Sequence, residues 1–304
     1  MRASILPLAL AAPAVVSATQ GTLGLALGDK NADGSCKATS DYEADFAALK
    51  SLANSTLVRT YSSSECNTAA NILPAAQSSG VKVVLGMWPD TDASFNQDFS
   101  ALQSAVPGNE AVIEAITVGS EALYRGDMTA EALLARINQV KSAFPQTTVG
   151  TADSWNKYAD GTADPLIQGN VTYLMANAFA YWQGSPISNA TNVYFSDMNG
   201  AIQHIQQVAG SNFDNIRVLN GETGWPTDGG SNYAAAQAGT ANAAEFWQDG
   251  VCAMLNSGVD VFYFEAFDES WKPDSTGDNG QASNEQHWGL LTASRTAKLN
   301  VTCP

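Results

Sequence analysis

Along this chain, short apolar and β-branched runs alternate with segments whose apolar residues recur at helical spacing. The runs predict strands at Leu23–Leu27, Leu57–Tyr61, Lys82–Met87, Ile113–Val118, Thr147–Thr151, Thr172–Ala178, Ile216–Leu219 and Val259–Glu265. Between them, helices are marked by stripes and stops. Ser40-Asp41-Tyr42-Glu43 reads as a capping box, and Phe46, Leu49 and Leu52 behind it share one helix face. Phe95, Phe99, Leu102 and Val106 form a stripe closed by Pro107; Leu133, Ile137, Val140 and Phe144 form another between Thr129 and Pro145. Phe246, Val251, Met254 and Leu255 cover one face of a segment ending near Gly258. Such alternation predicts one α/β domain, a single (β/α)8 TIM barrel spanning residues 19–304. The competitor, an open doubly wound sheet, would carry a Gly-rich phosphate loop after its first strand. "LALGDKNADG" lacks that spacing, so the barrel is preferred.

A barrel of this kind does its chemistry at the C-terminal ends of its strands, so the residue types there are informative. Glu121 follows the fourth run and Glu222 the seventh; Glu265 ends the eighth and Glu269 follows it. Tyr61 and Trp88 end the second and third, Asp153 and Trp155 follow the fifth, and Tyr181 and Trp182 follow the sixth. Carboxylates ringed by aromatics suit a sugar substrate. Pyranose rings stack their apolar faces on Trp and Tyr, while carboxylates bond the hydroxyls. Glycosidic cleavage needs one carboxyl to protonate the leaving oxygen and a second to attack or stabilise the anomeric carbon. Most of the 30 acidic residues are ordinary surface charges, but a pair on strands four and seven fits that chemistry. His204 lies mid-helix and reads as structural, and His287 has no partner pattern for Ser-His catalysis.

Composition and charge narrow the setting. "MRASILPLALAAPAVVSA", residues 1–18, has a basic start, an apolar middle and a small-residue end, as a secretory signal peptide does. Its removal takes the formal charge from −16 to −17. Such acidity disfavours nucleic acid and anionic membrane as partners and is indifferent to a neutral polysaccharide. Cys36, Cys66, Cys252 and Cys303 are an even set suited to an oxidising compartment. Of the three possible connectivities, the sequence-local one, Cys36 with Cys66 and Cys252 with Cys303, is preferred. Their spacing matches no zinc pattern, and with two histidines in the chain no metal or other cofactor is expected. Asn54, Asn170, Asn189 and Asn300 head N-glycosylation sequons.

"NGETGWP" (Asn220–Pro226), "VGSEALYRGD" (Val118–Asp127), "FYFEAFDESWK" (Phe262–Lys272) and the stretch Val58–Asp90 resemble glycoside hydrolase family 17. The likeness is to its fungal cell-wall branch of β-1,3-glucanases and β-1,3-glucanosyltransferases, and it covers essentially all of residues 19–304. It implies a retaining mechanism with Glu222 as nucleophile and Glu121 as acid/base, their carboxyls about 5–5.5 Å apart. It also implies that Glu121 is protonated and Glu222 ionised in the free enzyme. Glu269, Lys272 and Glu285 match a charged cluster near the nucleophile. Ser120 stands where the wider clan has an asparagine that binds the sugar 2-hydroxyl, which puts that contact in doubt. The resemblance implies a cell-wall enzyme acting on β-1,3-glucan or laminari-oligosaccharides; with the signal peptide, a secreted protein is expected, and a monomer is the expected state. The likeness favours transfer to a glucan acceptor, with β-1,6 branching as one outcome, over net hydrolysis by an endo-1,3-β-glucosidase. A non-catalytic glucan-binding wall protein is a third reading, disfavoured by intact Glu121 and Glu222. Tyr61, Trp88, Asp153, Trp155, Tyr181, Trp182 and Glu265 are the candidate sugar contacts.

Overall fold

In the computed structural model, residues 20–228, 232–277 and 280–303 are described; the expected signal peptide, residues 1–18, lies outside them. Eight parallel strands close into a barrel: β1 (Leu23–Ala26), β2 (Leu57–Arg59), β3 (Lys82–Met87), β4 (Ile113–Ser120), β5 (Val149–Ser154), β6 (Tyr173–Asn177), β7 (Arg217–Thr223) and β8 (Val261–Tyr263). β8 pairs back onto β1, with Leu23 opposite Val261. A hairpin of β9 (Asp274–Thr276) and β10 (Ala282–Asn284) stands apart from the barrel.

Two apolar layers hold the strands. Leu57, Val84, Ala115, Ala152, Tyr173, Met175, Leu219 and Phe262 pack against one another as a separate buried cluster, filling the barrel's interior. Their neighbours in the strands, such as Val83, Leu85, Ile116 and Leu174, join the larger cluster beneath the helices. This is the period-two alternation of a strand with both faces buried. The helices α1 (Thr39–Leu52), α2 (Thr68–Ser79), α3 (Asp92–Ala105), α4 (Ala130–Ala143) and α7 (Ile187–Ala209) supply most of the outer layer. Short α5 (Trp155–Ala159) and α6 (Asp164–Gln168) precede β6; α8 (Thr240–Phe246) runs through a single π-turn at Trp247–Val251 into α9 (Cys252–Asn256). The cysteines pair as Cys36–Cys66, joining the loops after β1 and β2, and Cys252–Cys303, fastening the C-terminal segment to α9.

The strand boundaries differ from the expected ones at the ends that matter. β4 runs on to Ser120, β5 to Ser154 and β7 to Thr223, so Asp153 and Glu222 lie within strands. Periodicity stops at the last apolar residue, but the ladder continues because the polar residues there line the barrel's working end. β2 and β8 are instead shorter than expected and end at Arg59 and Tyr263. The cap of α1 also differs. The helix begins at Thr39, and the Asp41 carboxylate accepts from the Ala38 N–H at 2.8 Å, so the box is two residues earlier than Ser40–Glu43. Phe46 and Leu49 are buried, but Leu52, in the last turn, is 39% exposed.

Candidate active site

The barrel interior changes character one layer above its apolar filling. Two positions beyond Leu57 on β2 stands Arg59, a guanidinium with only 1% of its surface exposed. A buried cation must be paired and hydrogen-bonded, and Arg59 is. Its Nη1 donates to the Gly221 carbonyl and to Glu222 Oε1, both at 2.9 Å, and its Nη2 donates to Ser120 Oγ at 3.0 Å. Ser120 Oγ in turn lies 3.4 Å from Glu222 Oε1 and donates to it. Glu222 is thus fixed between a permanent positive charge and a hydroxyl, and is itself buried. The Ser120 side chain, which replaces the expected asparagine, is engaged with the nucleophile candidate and Arg59.

Glu121 reaches the same space from β4. The β4–β5 register slips between Thr117 and Ser120, and Gly119 has φ +90°. Glu121 itself adopts φ +59°, a left-handed conformation that a non-glycine residue holds only when its surroundings impose it. Its N–H donates to the Ala152 carbonyl at 3.0 Å, and its Oε1 accepts from Asn177 Nδ2 at 3.1 Å. Asn177, the last residue of β6, is the register partner of Glu222. One amide therefore ties the two carboxyl-bearing strands together. Burial first, and the charge of Glu222 second, raise the Glu121 carboxyl to about 7; the bond from Asn177 opposes them. Such a group keeps its proton up to about neutral pH, where an ordinary carboxyl has lost it, and can donate it.

Asp153 acts beneath Glu121. Its carboxylate accepts from the N–H groups of Leu123 (2.8 Å), Ser154 (2.9 Å) and Tyr124 (3.1 Å), which staples the turn after Glu121 onto β5. Burial pushes its carboxyl up to about 6 against those three bonds. Asp153 is fully buried and fully used, so it has no surface for a sugar, contrary to the expectation. The same correction applies to Tyr181, whose ring is wedged among Trp225, Trp288 and Trp182 at centroid distances of 5.1, 5.3 and 5.6 Å. It applies also to Glu265, 2% exposed, whose Oε2 accepts from Lys272 Nζ at 2.6 Å. Lys272 Nζ lies 3.0 Å from Glu269 Oε2 as well. Burial alone would lower the Lys272 ammonium, but Glu265 and Glu269, with a smaller share from Glu285, outweigh it and push it up.

Other aromatic candidates keep accessible surface. Tyr61, Trp88, Trp155 and Trp182 are half-buried. Trp182 lies nearly parallel to Trp288, 13° apart, with centroids separated by 5.6 Å. Tyr61 and Trp88 line an open cleft of about 1100 Å³ over the ends of β2 and β3. The Tyr61 hydroxyl itself is buried beside Glu222. A single carboxylate organises that wall. Asp98 of α3 accepts from Ser62 Oγ (2.7 Å), Ser64 Oγ (2.6 Å), the Ser64 N–H (2.8 Å) and the Trp88 N–H (2.7 Å). Arg125 stacks its guanidinium 4.5 Å from the Trp88 ring centroid and donates to the Ser120 carbonyl, which links this wall to the acid/base turn. His204 bonds Asp164 at 2.8 Å, away from the carboxyl pair.

Arg59, Asn177 and Asp98 were not singled out by sequence reasoning. Arg59 and Asn177 do leave a signal: each is a polar residue terminating an otherwise buried strand, in "LVR" and "YLMAN". Asp98 leaves none, because an acidic residue between Phe95 and Phe99 on a helix looks like a solvent-facing charge. Among the described residues, no three His, Cys, Asp or Glu side chains converge as metal ligands, and no helix is long and apolar enough to cross a membrane. All four sequon asparagines are exposed.

A proton-holding carboxyl beside a fixed, Arg-paired carboxylate is the equipment for acid-assisted displacement at an acetal carbon. Comparison with known proteins bears on the bond involved. Residues 24–289 match the BtgE/BtgC glycoside hydrolase domain. The chain is 57% identical over 299 residues to a glucan 1,3-beta-glucosidase of Arthroderma benhamiae, covering 98% of this chain and 96% of that protein. It is 41% identical over 295 residues to a glucan 1,3-beta-glucosidase of Saccharomyces cerevisiae, covering 93% and 91%. Among solved structures it resembles an active-site mutant of Rhizomucor miehei beta-1,3-glucanosyltransferase in complex with laminaritriose. That match has a TM-score of 0.79 at 29% identity and covers 93% of this chain and 98% of that one.

Proposed function

Given that this chain belongs to the BtgE/BtgC family of family-17 glycoside hydrolases and is a β-1,3-glucan-acting glycosidase, we propose that it is a retaining 1,3-β-glucanosyltransferase. In the first step Glu222 attacks the anomeric carbon, while Glu121 gives its proton to the departing glycosidic oxygen. The bond to the leaving sugar breaks as the glycosyl–Glu222 ester forms. In the second step Glu121, now ionised, takes a proton from an incoming hydroxyl, which displaces Glu222 with net retention. The observation that carries this reading is the contrast between the two carboxyls. Glu121 is raised to about 7, while Glu222 has the Arg59 guanidinium 2.9 Å away.

Transfer requires that a sugar hydroxyl outcompete water, and positioning of the acceptor gives it that advantage. Half-buried Trp88, Trp155 and Trp182 are the proposed platforms, and the glucanosyltransferase name of the Rhizomucor miehei neighbour favours the same outcome. The glucosidase names of the Arthroderma and Saccharomyces relatives favour net hydrolysis as the second reading. We place the enzyme outside the cell, in the fungal wall, as a monomer with residues 1–18 removed and N-glycans on exposed Asn54, Asn170, Asn189 and Asn300. The deciding experiment is product analysis on a defined laminari-oligosaccharide, with linkages assigned by NMR and Glu222→Ala as the inactive control. Products longer than the substrate are expected. Only shorter ones, at any substrate concentration, would replace transferase by hydrolase.

A further inference from the structure

Beyond Glu121 and Glu222, the densest group of buried charge lies just past β8. Glu265 and Glu269 are 2% and 4% exposed, and both sit on the Lys272 ammonium, at 2.6 and 3.0 Å. Two ionised carboxylates on one cation would leave a full negative charge uncompensated in a site with little water to solvate it. The neighbouring cations Lys37, Lys298 and Lys30 lend only their fields, because each ammonium is bonded to another group: Lys37 bonds Asp45 and the Gly28 carbonyl. Lys298 bonds Asp268 and the His287 carbonyl, and Lys30 bonds Glu65. Asp29 and Glu285 only add negative charge.

The two carboxyl groups meet on one ammonium, each through its Oε2. Glu265 Oε1, buried, receives no hydrogen bond from any donor among the described residues, and Glu269 Oε2 has only the Lys272 ammonium, 3.0 Å away. Glu269 packs against β1 on one side. A Cβ on Gly28, at the end of β1, would fall 1.8 Å from Glu269 Oε1, so the strand's backbone already presses on the carboxylate. The Tyr61 hydroxyl, buried beside Glu222, lies in the field of Glu265 as well.

We propose that Glu265 and Glu269 share one proton, with Glu265 the protonated member, and that this acid–carboxylate pair is a positioning device holding Lys272 at the β8 end of the barrel. The proton turns the unpartnered Glu265 Oε1 into a donor, leaves Glu269 to balance Lys272, and keeps a further negative charge out of the site. Burial first and the Glu269 charge second favour it on Glu265, over the opposing pull of Lys272. The activity arm of the test rests on the glucan reading above; the spectroscopic arm does not.

The test uses the whole chain in a Glu121→Gln background, which removes the carboxyl raised to about 7; Asp153 and Asp197, raised to about 6, are common to every variant and cancel in difference spectra. Infrared spectra near neutral pH, without substrate, should show a protonated-carboxyl band that Glu265→Gln abolishes. With Glu121 intact, Glu265→Gln mimics the protonated acid and should keep kcat/KM on laminari-oligosaccharides within about threefold. Glu265→Leu should lose at least about 100-fold, because it breaks a buried pair. If the leucine variant does not fold, the glutamine variant and the spectra decide alone. Absence of the band, or a glutamine variant that loses about 100-fold or more, overturns the proposal. A band present in a chain that does not act on glucan would overturn the functional reading and leave the pair standing.

Discussion

Glu121 shows how much of this site rests on one residue's surroundings. Its left-handed φ of +59° and its bond from Asn177 aim the carboxyl at the space Glu222 faces. Burial then raises its proton affinity to about 7. With Glu121 as the proposed general acid, kcat/KM on laminari-oligosaccharides should fall as pH rises through about 7. Stability follows the same sign. A carboxyl whose folded pKa exceeds its ordinary 4.5 binds the proton more tightly when folded, so its contribution is complete below about 4.5 and is lost as pH rises to about 7. Glu121→Gln should therefore gain stability relative to wild type across that window in urea titrations, while losing roughly 10²–10⁴-fold in kcat. A wild-type alkaline limb that persists unchanged in a substrate with a very good leaving group would assign it to another residue. The residue scale is also where sequence reading was least secure. Asp153, Tyr181 and Glu265 have the right chemistry at the right strand ends, but each turns into protein because a neighbour claims it.

At the scale of elements, the register slips carry the meaning. β4–β5, β6–β7 and β7–β8 all shift within their last residues, at Ser120, Asn177 and Glu222 or beside them. A slip of this kind re-aims the next side chain, and here it directs polar groups from several strands onto one point. The loops over β2 and β3 depend on a different element, since α3 reaches up with Asp98 to hold Ser62, Ser64 and Trp88. Asp98→Ala leaves those donors without a partner, so unfolding should become easier by about 1–3 kcal/mol. With Tyr61 and Trp88 released, KM for long laminari-oligosaccharides should rise more than kcat falls. Asp98→Asn, which keeps an acceptor oxygen, should recover part of both effects; an unchanged KM would detach this wall from substrate binding.

At the scale of the whole molecule, closure of the barrel brings distant segments into one site. Arg59 and Glu222 are 163 positions apart, and Arg59 and Ser120 are 61 apart. The two disulfides close loops with sequence separations of 30 and 51, at the β1–β2 loops and the C-terminal segment. Reducing each should cost about 2–5 kcal/mol, chiefly by freeing the unfolded chain, measured as a lower urea midpoint for Cys36→Ala/Cys66→Ala and for Cys252→Ala/Cys303→Ala. What the sequence by itself determined was the architecture and the identity of the two central carboxyls. Alternating strand and helix periods are local properties, and Glu121 and Glu222 sit at the ends of legible apolar runs. Only the tertiary structure decided the rest. Arg59, Asn177 and Asp98 acquire their roles from partners far along the chain, and Glu265 becomes buried only when the β8 end meets Lys272, Glu269 and the backbone at Gly28. A local pattern carries the residue's type and its strand, whereas burial, charge pairing and aim arise from contacts between segments that the sequence keeps apart.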